Sequence, residues 1–259
     1  MAKKKVRLDK LVMERGLVDS RSKAQGVILA GEVLVNGERV DKPGTAVSPG
    51  VTIKLKATMP YVGRGGYKLA GALAAFGLEA NGRICADVGA CTGGFTDVLL
   101  QNGAKRVYAI DVGYGQLDWK LRQDERVVVM ERTNARYLEA LAEPVSFVTV
   151  DVSFISLRLI LPAVQKWLTS QADIVALIKP QFEAGPKQVS KGGIVKDTTV
   201  HQSVLLHMLQ WVDEKGLTPV GLIQSPVSGS DGNMEFLLWL CPGAEDSVGE
   251  SAVADLLDL

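Results

Sequence analysis

Residues 83–111 carry the most restrictive pattern in this chain. An apolar run ending in an acid (RICAD) meets a glycine-rich loop (VGACTGGFT), then an apolar stretch closed by Gly103. A second apolar run, RVYAI, follows and ends in Asp111. The spacing predicts a strand over 83–87, a helix over 97–102 and a strand over 106–110. Strand, glycine loop, helix, strand and acid in that order open a nucleotide-binding α/β fold. Glycines in such a loop let the backbone approach a ligand that a β-carbon would exclude, and Asp111 is placed to accept hydrogen bonds from two ribose hydroxyls.

Those features alone fit either a dinucleotide dehydrogenase or a methyltransferase. The loop reads D-x-G-x-x-x-G-G from Asp87 to Gly94 and lacks the G-x-G-x-x-G spacing that cradles a pyrophosphate. An acid before the first glycine suits the cationic, phosphate-free S-adenosylmethionine. Candidate cofactor contacts are Asp87, Gly89, Ala90, Cys91, Thr92, Gly93, Gly94, Asp111 and Val112. Later apolar runs predict strands over 127–130, 146–150 and 174–178, each followed by a polar residue at its carboxyl end, where open α/β sheets bind ligands. Asn134 then becomes a candidate for the adenine edge. Asp151 and Lys179 fall at strand tips on the same rim.

The first sixty residues differ in character. They carry twelve Lys or Arg against six Asp or Glu, although the whole chain is neutral. A basic module on a neutral protein points to a polyanionic partner. Leu8, Leu11 and Val12 fall at helical spacing, with Gly16 as a stop. Ser20 is placed to cap a second helix that ends near Gly31. Asn36-Gly37 between Val33-Leu34-Val35 and Glu38-Arg39-Val40 predicts a hairpin, and 51–55 alternates as a further strand. The stretch SRSKAQGVILAGEVLVNGERV resembles the S-four-type (αL) RNA-binding module, which implies structured RNA as partner. Candidate RNA contacts here are Lys3, Lys4, Lys5, Arg7, Arg15, Arg21 and Lys23.

The strings RGGYKL, DVGACTGGFTDVLL, DVGYGQL, ERTNAR, DVSFISL, KPQFE and GNMEFLLWL occur in this order. Together they resemble the TlyA family, ribosomal-RNA cytidine 2′-O-methyltransferases related to FtsJ. The resemblance implies a Rossmann-like methyltransferase domain behind a small α+β RNA-binding domain, with S-adenosylmethionine as cofactor. It also implies a Lys-Asp-Lys-Glu tetrad at Lys68, Asp151, Lys179 and Glu235. Lys179 is the candidate for contact with the reacting hydroxyl; to act as a base it must be neutral, and to stabilise an alkoxide it must be charged. Arg64, Arg132 and Arg136 are further candidates for RNA phosphate.

The expected boundaries are an RNA-binding domain over 1–60, a linker over 61–66, a methyltransferase domain over 67–243 and an acidic tail over 244–259. Trp119, Trp211 and Trp239 are expected in the core; Phe154 could stack on the cofactor or the target base, with a core position the commoner outcome for a phenylalanine. With no membrane-length apolar run, no secretory leader and few His or Cys for a metal, a cytoplasmic, metal-free enzyme acting on ribosomal RNA or ribosomal subunits is expected. Rival readings are a non-catalytic ribosome-assembly factor and the haemolysin label that some family members carry.

Overall fold

The computed structural model describes residues 4–55, 60–229 and 232–258. Lys3, a candidate RNA contact, lies outside the described residues. The chain divides into two compact units, Met1–Pro60 and Tyr61–Leu259.

In the first unit, β1 (Val6–Arg7) leads into α1 (Leu8–Glu14), and α2 (Arg21–Leu29) follows. Ser20 caps α2 by accepting a hydrogen bond from the Lys23 amide at 3.2 Å. The hairpin of β2 (Val33–Val35) and β3 (Glu38–Arg39) turns at Asn36 and Gly37, both at positive φ. A short β4 (Ala46–Val47) pairs with β1, and β5 (Ile53–Leu55) pairs antiparallel with β2. Leu8, Val12, Ala24, Ile28 and Val33 close a small core. Helix and strand periods both place their apolar residues there.

The second unit begins with α3 (Gly65–Phe76), so two residues expected in a linker, Gly65 and Gly66, form its first turn. There follow β6 (Ile84–Val88), α4 (Gly94–Gln101), β7 (Arg106–Ile110), α5 (Trp119–Arg122), β8 (Val127–Met130) and β9 (Val145–Val150). The chain continues through α6 (Leu157–Val164), β10 (Leu168–Ile178), α7 (Pro180–Glu183), α8 (Thr198–Glu214), β11 (Pro219–Gln224), β12 (Phe236–Leu240) and α9 (Glu250–Leu256). The sheet order is β11-β12-β10-β9-β6-β7-β8, and β12 runs antiparallel to both of its neighbours. Strand order reverses between β6 and β9, which opens a crevice at their carboxyl ends.

Alternation along each strand feeds two cores. Ala86, Val148, Ile174 and Leu238 face one layer, while Cys85, Phe147, Val175 and Leu237 face the other, against α3 and α4. Helix α4 starts three residues earlier than predicted because Gly93, at φ +95°, turns the chain directly into it.

Three expectations are corrected. Residues 244–259 are not simply an acidic tail: α9 buries Val253 completely, and Leu256 and the following Leu257 pack against the larger core. Its apolar residues at helical spacing outweigh the acids between them. Trp119 is 72% exposed, since it opens a four-residue helix whose buried position is Leu121. Phe154 is 91% exposed rather than in the core, at φ +63°. No helix among the described residues is long and apolar enough to cross a membrane.

Candidate active site

Two cavities meet at the crevice. The larger, about 510 Å³, is lined by Asp111, Val112, Asn134, Val152, Phe154 and Ile155 among others. The second, about 320 Å³, is lined by Lys68, Lys179, Asp151, Glu235, Arg64 and the loop residues Ala90, Thr92 and Gly94. Gly89, Cys91, Asp151 and Ser153 border both. A small molecule in the larger cavity therefore lies next to whatever enters the smaller one.

The loop owes its shape to backbone positions that side chains tolerate poorly. Gly89 sits at φ +86°, and a β-carbon there would lie 2.2 Å from the Asp151 carbonyl oxygen. Strands β6 and β9 can then approach closely at their tips. At Gly94 a β-carbon would lie 2.9 Å from the Gly66 nitrogen. This glycine contact seats the start of α3 on the start of α4, which places Lys68, one turn along, over the loop. Asp111 fastens the other side, accepting from the Cys91 amide at 2.8 Å and the Gly113 amide at 2.6 Å. Asn134 caps the following turn through Oδ1, with the Arg136 amide at 3.1 Å.

Asp87 differs from its expected place. It lies on the same strand face as Cys85, so its side chain points under the loop towards α4 and lines neither cavity. Thr96 Oγ1 donates to it at 2.7 Å and Thr149 Oγ1 at 3.0 Å. Burial pushes its carboxyl up to about 6, against those two hydrogen bonds and with the help of the Asp151 charge. The folded protein thus holds this proton more tightly than the unfolded chain, whose value is near 3.8. Stability from this group is complete at low pH and is lost as pH rises through about 6. Asp87→Asn, which keeps the shape of the protonated form, is expected to stabilise the protein near neutral pH by roughly 2–3 kcal/mol. Urea melts of both proteins across this range test it: equal stability above the transition would show that the carboxylate is not strained.

The tetrad forms two ion pairs. Lys68 Nζ donates to Glu235 Oε2 at 2.6 Å, bridging α3 and the entry to β12. Lys179 Nζ lies 2.6 Å from Asp151 Oδ1 and donates to Ser153 Oγ at 2.9 Å. All four tetrad residues line the smaller cavity, and Lys68, Lys179 and Glu235 are buried. Two residues that the sequence reading passed over hold this arrangement. Ser153 steers Lys179, and Glu183 accepts from Ser156 Oγ at 2.6 Å and the Leu157 amide at 2.7 Å, tying α7 to the start of α6. Burial raises the Glu183 carboxyl above its ordinary range. Both lie inside the motifs DVSFISL and KPQFE, which carry the signal for them. Phe154 stands at the mouth of the larger cavity, 5.0 Å from the Phe182 ring. Its left-handed backbone, a conformation that disfavours bulky residues, turns the ring outward.

The candidate RNA contacts are scattered. Arg64 is exposed on the rim of the tetrad cavity. Arg132 lies over the Tyr114 ring at 4.3 Å and Arg136 over Tyr137 at 5.4 Å. In the first unit Lys4 and Lys5 are exposed, and Lys23 pairs with Asp19 at 3.0 Å. Arg15 is bound to the Pro49 and Val51 carbonyls, at 2.6 Å each, and Arg7 and Arg21 are bound to Asp9.

Residues 61–241 match the FtsJ-like methyltransferase family and residues 6–53 match the S4 domain. A Bacillus subtilis protein provisionally named the rRNA methyltransferase YqxC is 50% identical over 258 residues, covering 96% of this chain and 90% of that protein. The 16S/23S rRNA (cytidine-2′-O)-methyltransferase TlyA of Mycobacterium tuberculosis is 45% identical over 256 residues, covering 97% of this chain and 96% of that protein. A solved structure from Streptococcus thermophilus, provisionally named a hemolysin, superposes with a TM-score of 0.76 at 45% identity, covering 99% of this chain and 96% of that one. An S4 domain followed by an FtsJ-like methyltransferase domain, similar along nearly its whole length to these proteins, places the chain in the TlyA family.

Proposed function

We propose that this protein transfers the methyl group of S-adenosylmethionine to the 2′-hydroxyl of a cytidine in ribosomal RNA. The observation that carries the reading is the pair of lysine–carboxylate contacts on the walls of one cavity that borders the glycine-loop cavity. The larger cavity falls within the size range of small-molecule sites and offers apolar walls with a few convergent polar groups. Gly89 and Cys91 of the loop, with Asp111, Val112 and Asn134, would hold the cofactor there. When bound, S-adenosylmethionine supplies a methyl group already activated by a sulfonium.

What the chain must add is alignment and help with one proton. A ribose hydroxyl is a weak nucleophile at neutral pH, so its oxygen needs to be held against the methyl and relieved of charge or proton. Asp151 and Ser153 fix the Lys179 ammonium group at the border of the two cavities. From there Lys179 accepts the hydroxyl proton in its neutral form or stabilises the developing alkoxide in its charged form. Glu235 and Lys68 line the same cavity and keep its wall polar. The S4 domain and its excess of cations suit a phosphodiester backbone, so affinity for RNA is expected to fall steeply with salt.

The test is transfer of labelled methyl from S-adenosylmethionine to isolated ribosomal subunits that lack the modification, followed by mapping of the labelled nucleotide. Label on a cytidine ribose is the expected result. No transfer to either subunit, by protein that binds the cofactor, would remove ribosomal RNA as the substrate.

A further inference from the structure

The S4 domain contains a buried anion that its apolar core does not require. Asp9 is fully buried in the first turn of α1. Its Oδ1 accepts from Arg7 Nε at 3.1 Å and from the Lys10 amide at 2.8 Å. Its Oδ2 accepts from Arg7 Nη2 at 2.8 Å, Arg21 Nε at 3.1 Å and Gln25 Nε2 at 3.0 Å. Arg21 Nη2 lies 3.1 Å from the same oxygen. The Arg7 hydrogen bond is the largest influence holding this carboxyl far below the usual carboxylate range, with Gln25 and Arg21 adding to it and burial opposing.

Two guanidiniums, one from the end of β1 and one from the start of α2, thus converge on one carboxylate while each side chain stays 52% exposed. Each turns its Nε–Nη2 edge inward. Among the described residues, neither Nη1 makes a hydrogen bond. With each arginine side chain half exposed and Arg7 Nη1 beside Gly44, the cluster offers solvent two oriented guanidiniums with a net positive charge. Planar guanidinium donors fixed in direction match a phosphodiester, and fixing them beforehand removes the ordering loss on binding.

We infer that Asp9 is a positioning residue for RNA: it holds Arg7 and Arg21 as a preformed phosphate-binding pair. The inference rests on the reading that this domain docks RNA. It makes a prediction opposite in sign to simple charge counting. Removing a buried negative charge from a basic face should strengthen binding to a polyanion if only net charge matters. If the clamp matters, the same change weakens binding, because an asparagine in its place turns donors of its own towards the arginines.

The experiment measures affinity of the full chain for isolated large ribosomal subunits at fixed salt. The proteins compared are wild type, Asp9→Asn, Arg7→Ala, Arg21→Ala and the double variant Asp9→Asn/Arg7→Ala. Hydrogen exchange across α1 and α2 reports whether the domain stays folded. Asp9→Asn is expected to weaken binding by about fivefold or more. In the double variant its effect should shrink, because the two residues act as one unit. Arginine variants that weaken binding beside an Asp9→Asn protein of unchanged or higher affinity would overturn the inference alone. Arginine variants without effect would overturn the RNA-docking reading and the inference with it. Should Asp9→Asn unfold the domain, Arg7→Lys and Arg21→Lys decide. A lysine keeps the charge but cannot give one edge to Asp9 and another to phosphate, so full affinity in both would sink the proposal.

Discussion

Lys179→Ala is expected to slow methyl transfer by about 10²–10⁴-fold, the range for losing a positioned acid–base group or an oxyanion partner. Cofactor affinity should change little, because Lys179 does not line the larger cavity. The change removes the cation that Asp151 and Ser153 hold between them. Single-turnover transfer of labelled methyl to ribosomal subunits, with cofactor binding measured by calorimetry, reads both effects. Lys179→Arg then separates the two chemical roles. A guanidinium is never deprotonated in a protein, so it can stabilise an alkoxide but cannot accept a proton. An arginine variant as inactive as the alanine variant indicates a base, and a clear residual rate indicates electrostatic stabilisation. A wild-type rate for Lys179→Ala would remove this residue from the mechanism.

How much of this was legible beforehand depended on how local the signal is. Ser20 as a helix cap, Asn36-Gly37 as a hairpin and the strand tips at Asp111, Asp151 and Lys179 each follow from a few neighbouring residues, and the structure has them there. Lys68 and Glu235 meet across 167 positions, and only the family resemblance brought them together. The misplacements arise where two rules compete. Asp87 is adjacent to the loop in sequence, but the two-residue period of β6 turns it away from both cavities. Phe154 has the composition of a core residue, but its backbone at φ +63° sends the ring outward. Arg7 and Arg21 count as surface cations in the charge total, yet Asp9 draws one edge of each inward. The acids of 244–259 hid the helical spacing of Val253 and Leu256. Net charge and hydropathy describe a residue type. Direction comes from dihedral angles and partners, which a linear pattern records only when both are close in sequence.

Lys68→Met should destabilise the protein as well as silence it, and the two effects can be separated. Glu235 is 3% exposed and its salt-bridge partner is Lys68. Removing the cation leaves a desolvated carboxylate without its counter-charge, a change that costs about 3–5 kcal/mol in buried pairs. For a domain of this size that lowers the melting temperature by roughly 10 °C. Replacing both partners by apolar residues of similar volume often restores stability, since no buried charge then remains. The double variant Lys68→Met/Glu235→Leu is therefore expected to regain most of the lost melting temperature and none of the methyl transfer. Calorimetry and labelled-methyl transfer on the three proteins distinguish the possibilities. A double variant that recovers activity with stability would mean that this ion pair only holds α3 to β12. Recovery of stability alone means that the charges themselves serve the reaction, because the scaffold is intact and only the polar wall of the cavity has been lost.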